Sequence, residues 1–274
     1  MSRRILRTGV AVFCALAFLL PLWWVTISAI RPEASIFAHL SPPGRWTLWP
    51  REPTLVHVLE LWQGPFARAI FNTVYITAVT VVAGLVISAM AGFALSVIRF
   101  RGREAVFVVM VISFLIPFDA IALPLFGIMR DLRLQNTYTG LILPGIGNGL
   151  AVFLFRQFFL GIPKDLREAA QIDGMGWFGI FWRIYLPLSR PAIISAGLIL
   201  FVFQWQAYLW PLIIAPDPDY KVAAVAIAQF SDFYGVRYGL IFAAAFFISL
   251  IPMVVLTAFQ RYFSTSVASS GGKG

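Results

Sequence analysis

Long apolar runs alternate with short polar ones along this chain, and their lengths predict helices that cross a membrane. A span needs roughly 20 apolar residues. Blocks 8–30, 69–98, 105–129, 137–155, 191–216 and 238–260 reach or approach that length, and Asp119 in the third is the one charge they contain. The expected fold class is an all-α membrane protein of six transmembrane helices, forming a single domain over residues 1–274.

The polar interruptions differ in character. After the first block, RPEASIFAHLSPPGRWTLWPREP is too rich in proline to be one helix, and 54–67 alternates closely enough to suggest a short interfacial helix. Between the fourth and fifth blocks runs KDLREAAQIDGMGWFGIFWRIYLPLSRP, Lys164 to Pro191, which is amphipathic. It predicts helix, turn, helix over 164–190. Asp165 is placed to cap the first helix with Glu168 reaching back to it, and Gly174 suits the left-handed residue that ends it. A second apolar-faced segment follows from Trp177 to Tyr185, until Pro187 breaks it.

Inside the blocks, Gly84, Ser88 and Gly92 recur every four residues, a stripe that lets helices approach closely. GIGNG, Gly145 to Gly149, resembles a dinucleotide loop but has no strand before it, so a kink beside Pro144 is expected.

Charge orients the chain. Arg3, Arg4 and Arg7 precede the first block, which places the N-terminus in the cytoplasm. Segments 1–7, 99–104, 156–190 and 261–274 then hold 13 Lys and Arg in 62 residues, against 8 in 66 for segments 31–68, 130–136 and 217–237. Both termini and the 164–190 loop are expected inside. The net charge of +9 is therefore topological and gives no reason to invoke nucleic acid. Composition agrees: 60% of residues are hydrophobic, and only 12% are charged where a soluble domain carries about 25%.

Catalytic signatures are missing. No GxxxxGK[ST] loop occurs, so the chain cannot itself be an ATPase. No cluster of His, Cys and carboxylate suits a metal, and no GxSxG elbow suits hydrolysis. Cys14 is alone, and His39 and His57 are expected to be solvated in the first outside loop.

The run EAAQIDG (Glu168, Ala169, Ala170, Asp173, Gly174), followed by Phe181, Ile184 and Pro187, resembles the EAA signature of ABC importer permeases. Asn72-Thr73, RFRGR from Arg99, Pro117 with Pro124, NTYTGLILP from Asn136 and QRYF from Gln260 extend that resemblance over almost the whole chain. They make it similar to the smaller permease of maltose-type carbohydrate importers. FQWQAYLWP departs from that pattern, with Gln206 where the family has Asn.

The resemblance implies a bacterial plasma (inner) membrane protein that is half of a translocation pathway, working by alternating access. Its 164–190 loop would act as a cytoplasmic coupling helix between helices 4 and 5. Two ATP-binding subunits would bind the ATP, so this chain needs no cofactor. A second permease, expected to be a different chain, and an extracytoplasmic solute-binding protein complete the implied set, with membrane lipid around them. The implied cargo is a sugar or sugar derivative. Glycerol phosphate, an amino sugar or an oligopeptide is the alternative within the class, and a secondary transporter the alternative outside it.

Four residues stand out for the substrate pathway. An ionisable group within a span is costly unless it faces a cavity or a partner, so Asp119 is read either as a pathway residue or as a carboxylate paired with a neighbouring helix. Gln204 and Tyr208 lie one helical turn apart with Trp205 beside them, an amide and aromatic face suited to sugar hydroxyls and ring faces. Trp210 is assigned to an interfacial belt.

Overall fold

The computed structural model describes residues 2–232 and 235–270, with side chains over 5–231 and 235–260. The outlying charges Arg261 and Lys273 and the QRYF side chains after Gln260 fall outside that set. Two compact units emerge, one from residues 1–71 and 221–253, the other from 72–220 and 254–274.

The first unit begins with α1 (Ser2–Ala29), which is exposed along almost its whole length, as a lipid-facing helix should be. Beyond it the proline-rich segment turns back on itself through a 3-10 turn, Glu33–Ser35, and the one-turn α2 (Arg45–Leu48). Arg31 holds this segment: its buried guanidinium donates to the carbonyls of Trp46 and Thr47, each at 2.7 Å, and sits 5.0 Å from the Trp24 ring centroid. The short helix expected over 54–67 is α3 (Val56–Gln63), shorter than the pattern proposed, and Pro65 precedes α4 (Phe66–Ser96).

Leu61, Phe66, Ala69 and Ile70 pack there against Ala223, Ala226, Leu240, Ala243 and Ala244 of α14 (Ala223–Ala226) and α15 (Tyr238–Ser270). Between those two helices, β1 (Ser231–Asp232) and β2 (Gly235–Val236) pair antiparallel in a short ladder. His57 is not solvated as expected. It is buried with its ring against Gly239, at whose position any Cβ would collide with the imidazole.

In the second unit the small-residue stripe does what its spacing implies. A Cβ on Gly92 would lie 2.7 Å from Phe155 Cβ, one on Gly84 would lie 3.2 Å from Leu200 Cδ1, and Ser88 between them is fully buried. Gly92 thus lets α4 close on α8 (Gly149–Leu160), and Gly84 does the same for α12 (Arg190–Trp205). Ala89, Phe93, Ala151, Phe155, Phe159, Ala196 and Leu200 form the core at these crossings.

Two expected spans are bent, at the breaks that Pro117 and the GIGNG run lead one to expect. The third consists of α5 (Arg103–Leu115) and α6 (Phe118–Asp131), which meet at 100°. Pro117 at the break has no N–H to continue the ladder, and its ring disfavours helical backbone in the residue before it. The fourth, α7 (Tyr138–Ile146) and α8, bends by 40° at Gly147-Asn148, the kink expected from GIGNG. Asn148 restarts the helix by accepting the Ala151 N–H at 3.0 Å.

The fifth expected span divides as well. Helix α12 ends at Trp205, and α13 (Leu209–Ile214) begins only after a break. At 1.5 Å per residue α12 is roughly 24 Å long, short of a bilayer core of about 30 Å. Three continuous helices are long and apolar enough to cross a membrane, Ile5–Ala29, Phe66–Ser96 and Tyr238–Gln260; the total rises to six by length and composition if α5 with α6, α7 with α8, and Trp177–Leu188 with Arg190–Trp205 are each counted as one crossing.

Candidate functional site

Three residues after α8, the loop opens with α9 (Lys164–Ile172). Its N-cap is Pro163, with no side-chain cap bond, so the expected capping box is absent. Asp165 lies inside the first turn, where its charge complements the helix dipole. Glu168 pairs instead with its neighbour Arg167, at 2.8 Å. The reason is Pro163 itself, which starts the helix two residues earlier than an Asp165 cap requires.

The far end of α9 is a Schellman turn. Met175 N–H donates to Ala170 O at 2.9 Å and Gly174 N–H to Gln171 O at 3.0 Å, with Gly174 at φ +76°. A side chain there would have space but not the backbone conformation. The chain then rises through α10 (Trp177–Ile180), a π-helical turn Phe181–Tyr185 and α11 (Leu186–Leu188).

Pro187 does not break this helix. The helix runs from Trp177 through the π turn and Pro187 to Leu188, and the break falls at Ser189. There Trp177–Leu188 and Arg190–Trp205 meet at 81°. Ser189 closes the corner by donating its hydroxyl to Tyr185 O at 2.6 Å.

The EAA residues divide by face. Ala170, Ile180, Phe181 and Tyr185 are buried in the core, with Ile184 half-buried beside them. Phe93 of α4 is their anchor, its ring centroid lying 5.3 Å from Phe181 and 5.0 Å from Tyr185. Burial raises the Tyr185 phenol above its ordinary pKa, against a smaller pull downward from Arg167, so it stays neutral at physiological pH. Outward face Glu168, Ala169, Asp173 and Gly174, together with Ile172 at 87% and Phe178 at 70% exposure. The result is a knob whose back is cemented into the core and whose front carries uncovered Ile172 and Phe178 beside the charges of Glu168 and Asp173.

The four pathway candidates do not form one face. Asp119 is exposed in the first turn of α6, next to the 100° bend, and has no hydrogen bond or ion pair among the described residues. The helix N-terminus favours its charge. Gln204 is half-buried against Gly145, where a Cβ would lie 2.6 Å from Gln204 Oε1. Trp205 is buried, stacked on Phe201 with centroids 5.5 Å apart. Tyr208 is exposed but lies past the end of α12, so it shares no helical face with Gln204. Trp210 is likewise internal rather than interfacial, its indole N–H donating to Gly140 O at 3.0 Å.

Arg156 escaped the sequence reading, which placed it in a polar inside segment. It is buried and bound to Glu104. A lone cation at the edge of an apolar block was the available signal. No group of three or more His, Cys, Asp or Glu among the described residues could hold a metal ion.

Helices of spanning length and an amphipathic loop with an exposed face are the features of a membrane transport subunit. Residues 84–269 match the family model described as binding-protein-dependent transport system inner membrane component, and the chain belongs to that family. It is similar to the arabinooligosaccharides transport system permease protein AraQ of Halalkalibacterium halodurans, 40% identical over 204 residues, 74% of this chain and 73% of that one. AraQ of Bacillus subtilis is 30% identical over 273 residues, 99% of this chain and 96% of its own length. A solved bacterial ABC transporter that imports the acidic polysaccharide alginate shares the fold, with a TM-score of 0.80 at 24% identity over 96% of this chain and 98% of that one.

Proposed function

We propose that this chain is one of two permease subunits of an ATP-driven importer of an oligosaccharide or related sugar derivative, acting as a single domain with six crossings and both termini in the cytoplasm. The knob over 164–190 seats in a groove of a partner ATPase, two copies of which bind the ATP. A second permease, a different chain, supplies the other half of the pathway, and an extracytoplasmic binding protein delivers the solute.

The observation that carries this reading is the knob. The core holds its inner face through Phe93, Phe181 and Tyr185, while Glu168, Ile172 and Phe178 face outward. ATP can drive transport only if nucleotide-bound ATPase discriminates between inward-open and outward-open states. A rigid knob fixed to the bundle provides the contact through which it can. The excess of Lys and Arg in the segments assigned inside supports a cytoplasmic knob. The sugar assignment draws on the AraQ relatives, whose names give arabinooligosaccharides.

Co-expression with the neighbouring genes and purification through this chain tests the reading. An ATPase subunit should co-purify and be lost with Glu168→Lys. A wild-type chain that purifies with no ATPase overturns it, and binding of glycerol phosphate or a peptide by the cognate binding protein overturns the sugar assignment.

A further inference from the structure

Helix α4 ends at Ser96, where its last carbonyls lack partners within the helix. Two guanidinium groups supply them. Arg156 Nε donates to Leu95 O at 3.1 Å, and Arg103 Nη1 donates to Ser96 O at 3.3 Å. Both cations converge on one carboxylate. Arg156 Nη2 donates to Glu104 Oε1 and Oε2 at 2.9 and 2.7 Å, and Arg103 Nε and Nη2 donate to Glu104 Oε1 at 3.2 and 3.1 Å.

Only arginine fits this place. Its Nε reaches a carbonyl while Nη2 reaches a carboxylate, and its plane lies over Phe107, Cζ 3.9 Å from the centroid. Phe107 in turn stacks on Phe153, one turn before Arg156 in α8, with centroids 6.1 Å apart. The side chain of Arg156 is 9% exposed and that of Glu104 62%. Glu104 sits in the first turn of α5, directly after Gly102 at φ +84° has turned the chain out of α4. Three elements therefore meet at one ion pair: the end of α4, the start of α5 and the middle of α8.

The position of α8 gives the arrangement meaning. Only residues 161–163 separate α8 from α9, and the Gly161 and Ile162 N–H groups bond back to Phe158 O and Phe159 O at 3.0 and 3.2 Å, so the junction is tight. Phe155 and Phe159, on another side of α8, join the core that holds Phe181 and Tyr185. Helix α8 is thus fixed to the knob at one end and to the α4–α5 corner through Arg156. With Glu104 largely exposed the ion pair adds little to stability, but its two-oxygen geometry fixes the direction in which the corner is held. Arg103–Glu104, Arg130–Asp131 and Arg167–Glu168 by contrast join sequence neighbours.

We infer that Arg156 is a positioning residue for energy coupling: through Glu104 it makes the α4–α5 corner move with α8 when the ATPase displaces the knob. This rests on the coupling reading of the knob.

The test uses the whole importer in proteoliposomes, comparing wild type with Glu104→Gln, Glu104→Asp and Arg156→Lys. Three quantities are read: ATPase subunits retained on purification, ATP hydrolysed, and solute taken up per ATP. Glu104→Gln and Arg156→Lys should keep the ATPase bound and hydrolysing while uptake per ATP falls about 5-fold or more, the lower end of usual coupling energies. Glu104→Asp, which keeps the charge, should recover part of the loss.

Unchanged uptake per ATP in variants that only melt earlier would show a structural brace and overturn the inference. So would loss of the ATPase from all three variants, which would mean that the clasp serves assembly. Failure of the coupling reading itself is distinct, since the wild-type chain would then purify without an ATPase, and both proposals would fall.

Discussion

Glu33 and Gly239, 206 positions apart, are joined by a hydrogen bond in which the Gly239 backbone N–H donates to Glu33 Oε2 at 2.8 Å. The Tyr238 N–H donates to Glu33 Oε1 at 2.7 Å, so one carboxylate takes two orphan donors at the start of α15. Replacing Glu33 with alanine should lower the melting temperature of the purified chain, at a cost of about 1–3 kcal/mol for charge-assisted bonds. Glu33→Gln, which keeps an acceptor oxygen, should cost less. Gly239→Ala should cost more than Glu33→Gln, because its Cβ would strike the His57 ring.

Gly174 makes a sharper case, because its role is conformational and nothing lies near it. Valine there must hold φ +76°, at a cost of about 1–2 kcal/mol, or open the Schellman turn. Gly174→Val should reduce uptake severalfold and loosen the ATPase, while Gly174→Asn, which tolerates the left-handed region, should stay near wild type. Uptake in vesicles alongside ATPase co-purification decides between them, and full coupling in Gly174→Val would refute the role given to the turn.

The stripe on α4 predicts a graded response. Gly92→Ala places a Cβ 2.7 Å from Phe155 Cβ and 3.0 Å from Arg156 N, so backbone must shift, at a cost of about 1–3 kcal/mol. Gly84→Ala meets the mobile end of Leu200 at 3.2 Å and should be milder. Thermal melting of both variants in one detergent checks the order.

Asp119 tests the pathway. Exposed beside a broken helix and without an ion-pair partner among the described residues, it should tolerate Asp119→Asn structurally. If it meets solute hydroxyls, uptake should fall several-fold with expression and ATPase association intact. Normal uptake would remove it from the pathway.

The sequence made some of this visible and hid the rest for physical reasons. The three continuous apolar helices, the glycine stripe, the GIGNG kink and the Gly174 turn follow from local rules of hydropathy, residue size and backbone freedom, which act within a few positions. Pro187 misled because the helix passes through it by way of a π turn, invisible in residue preferences, and stops only at Ser189. Gln204 and Tyr208 were expected on one face because spacing says nothing of where a helix stops. His57, Trp210 and Arg156 depend on partners far away in sequence, and a single chain read without its contacts cannot supply those.

Ile172 and Phe178 bear on how the cell makes this protein. Both side chains stand almost uncovered. Seated in a partner ATPase, as proposed, they would be covered; on a copy made without that partner they remain an exposed apolar surface. On that reading, matched synthesis of the subunits sets how much of this surface is ever left uncovered.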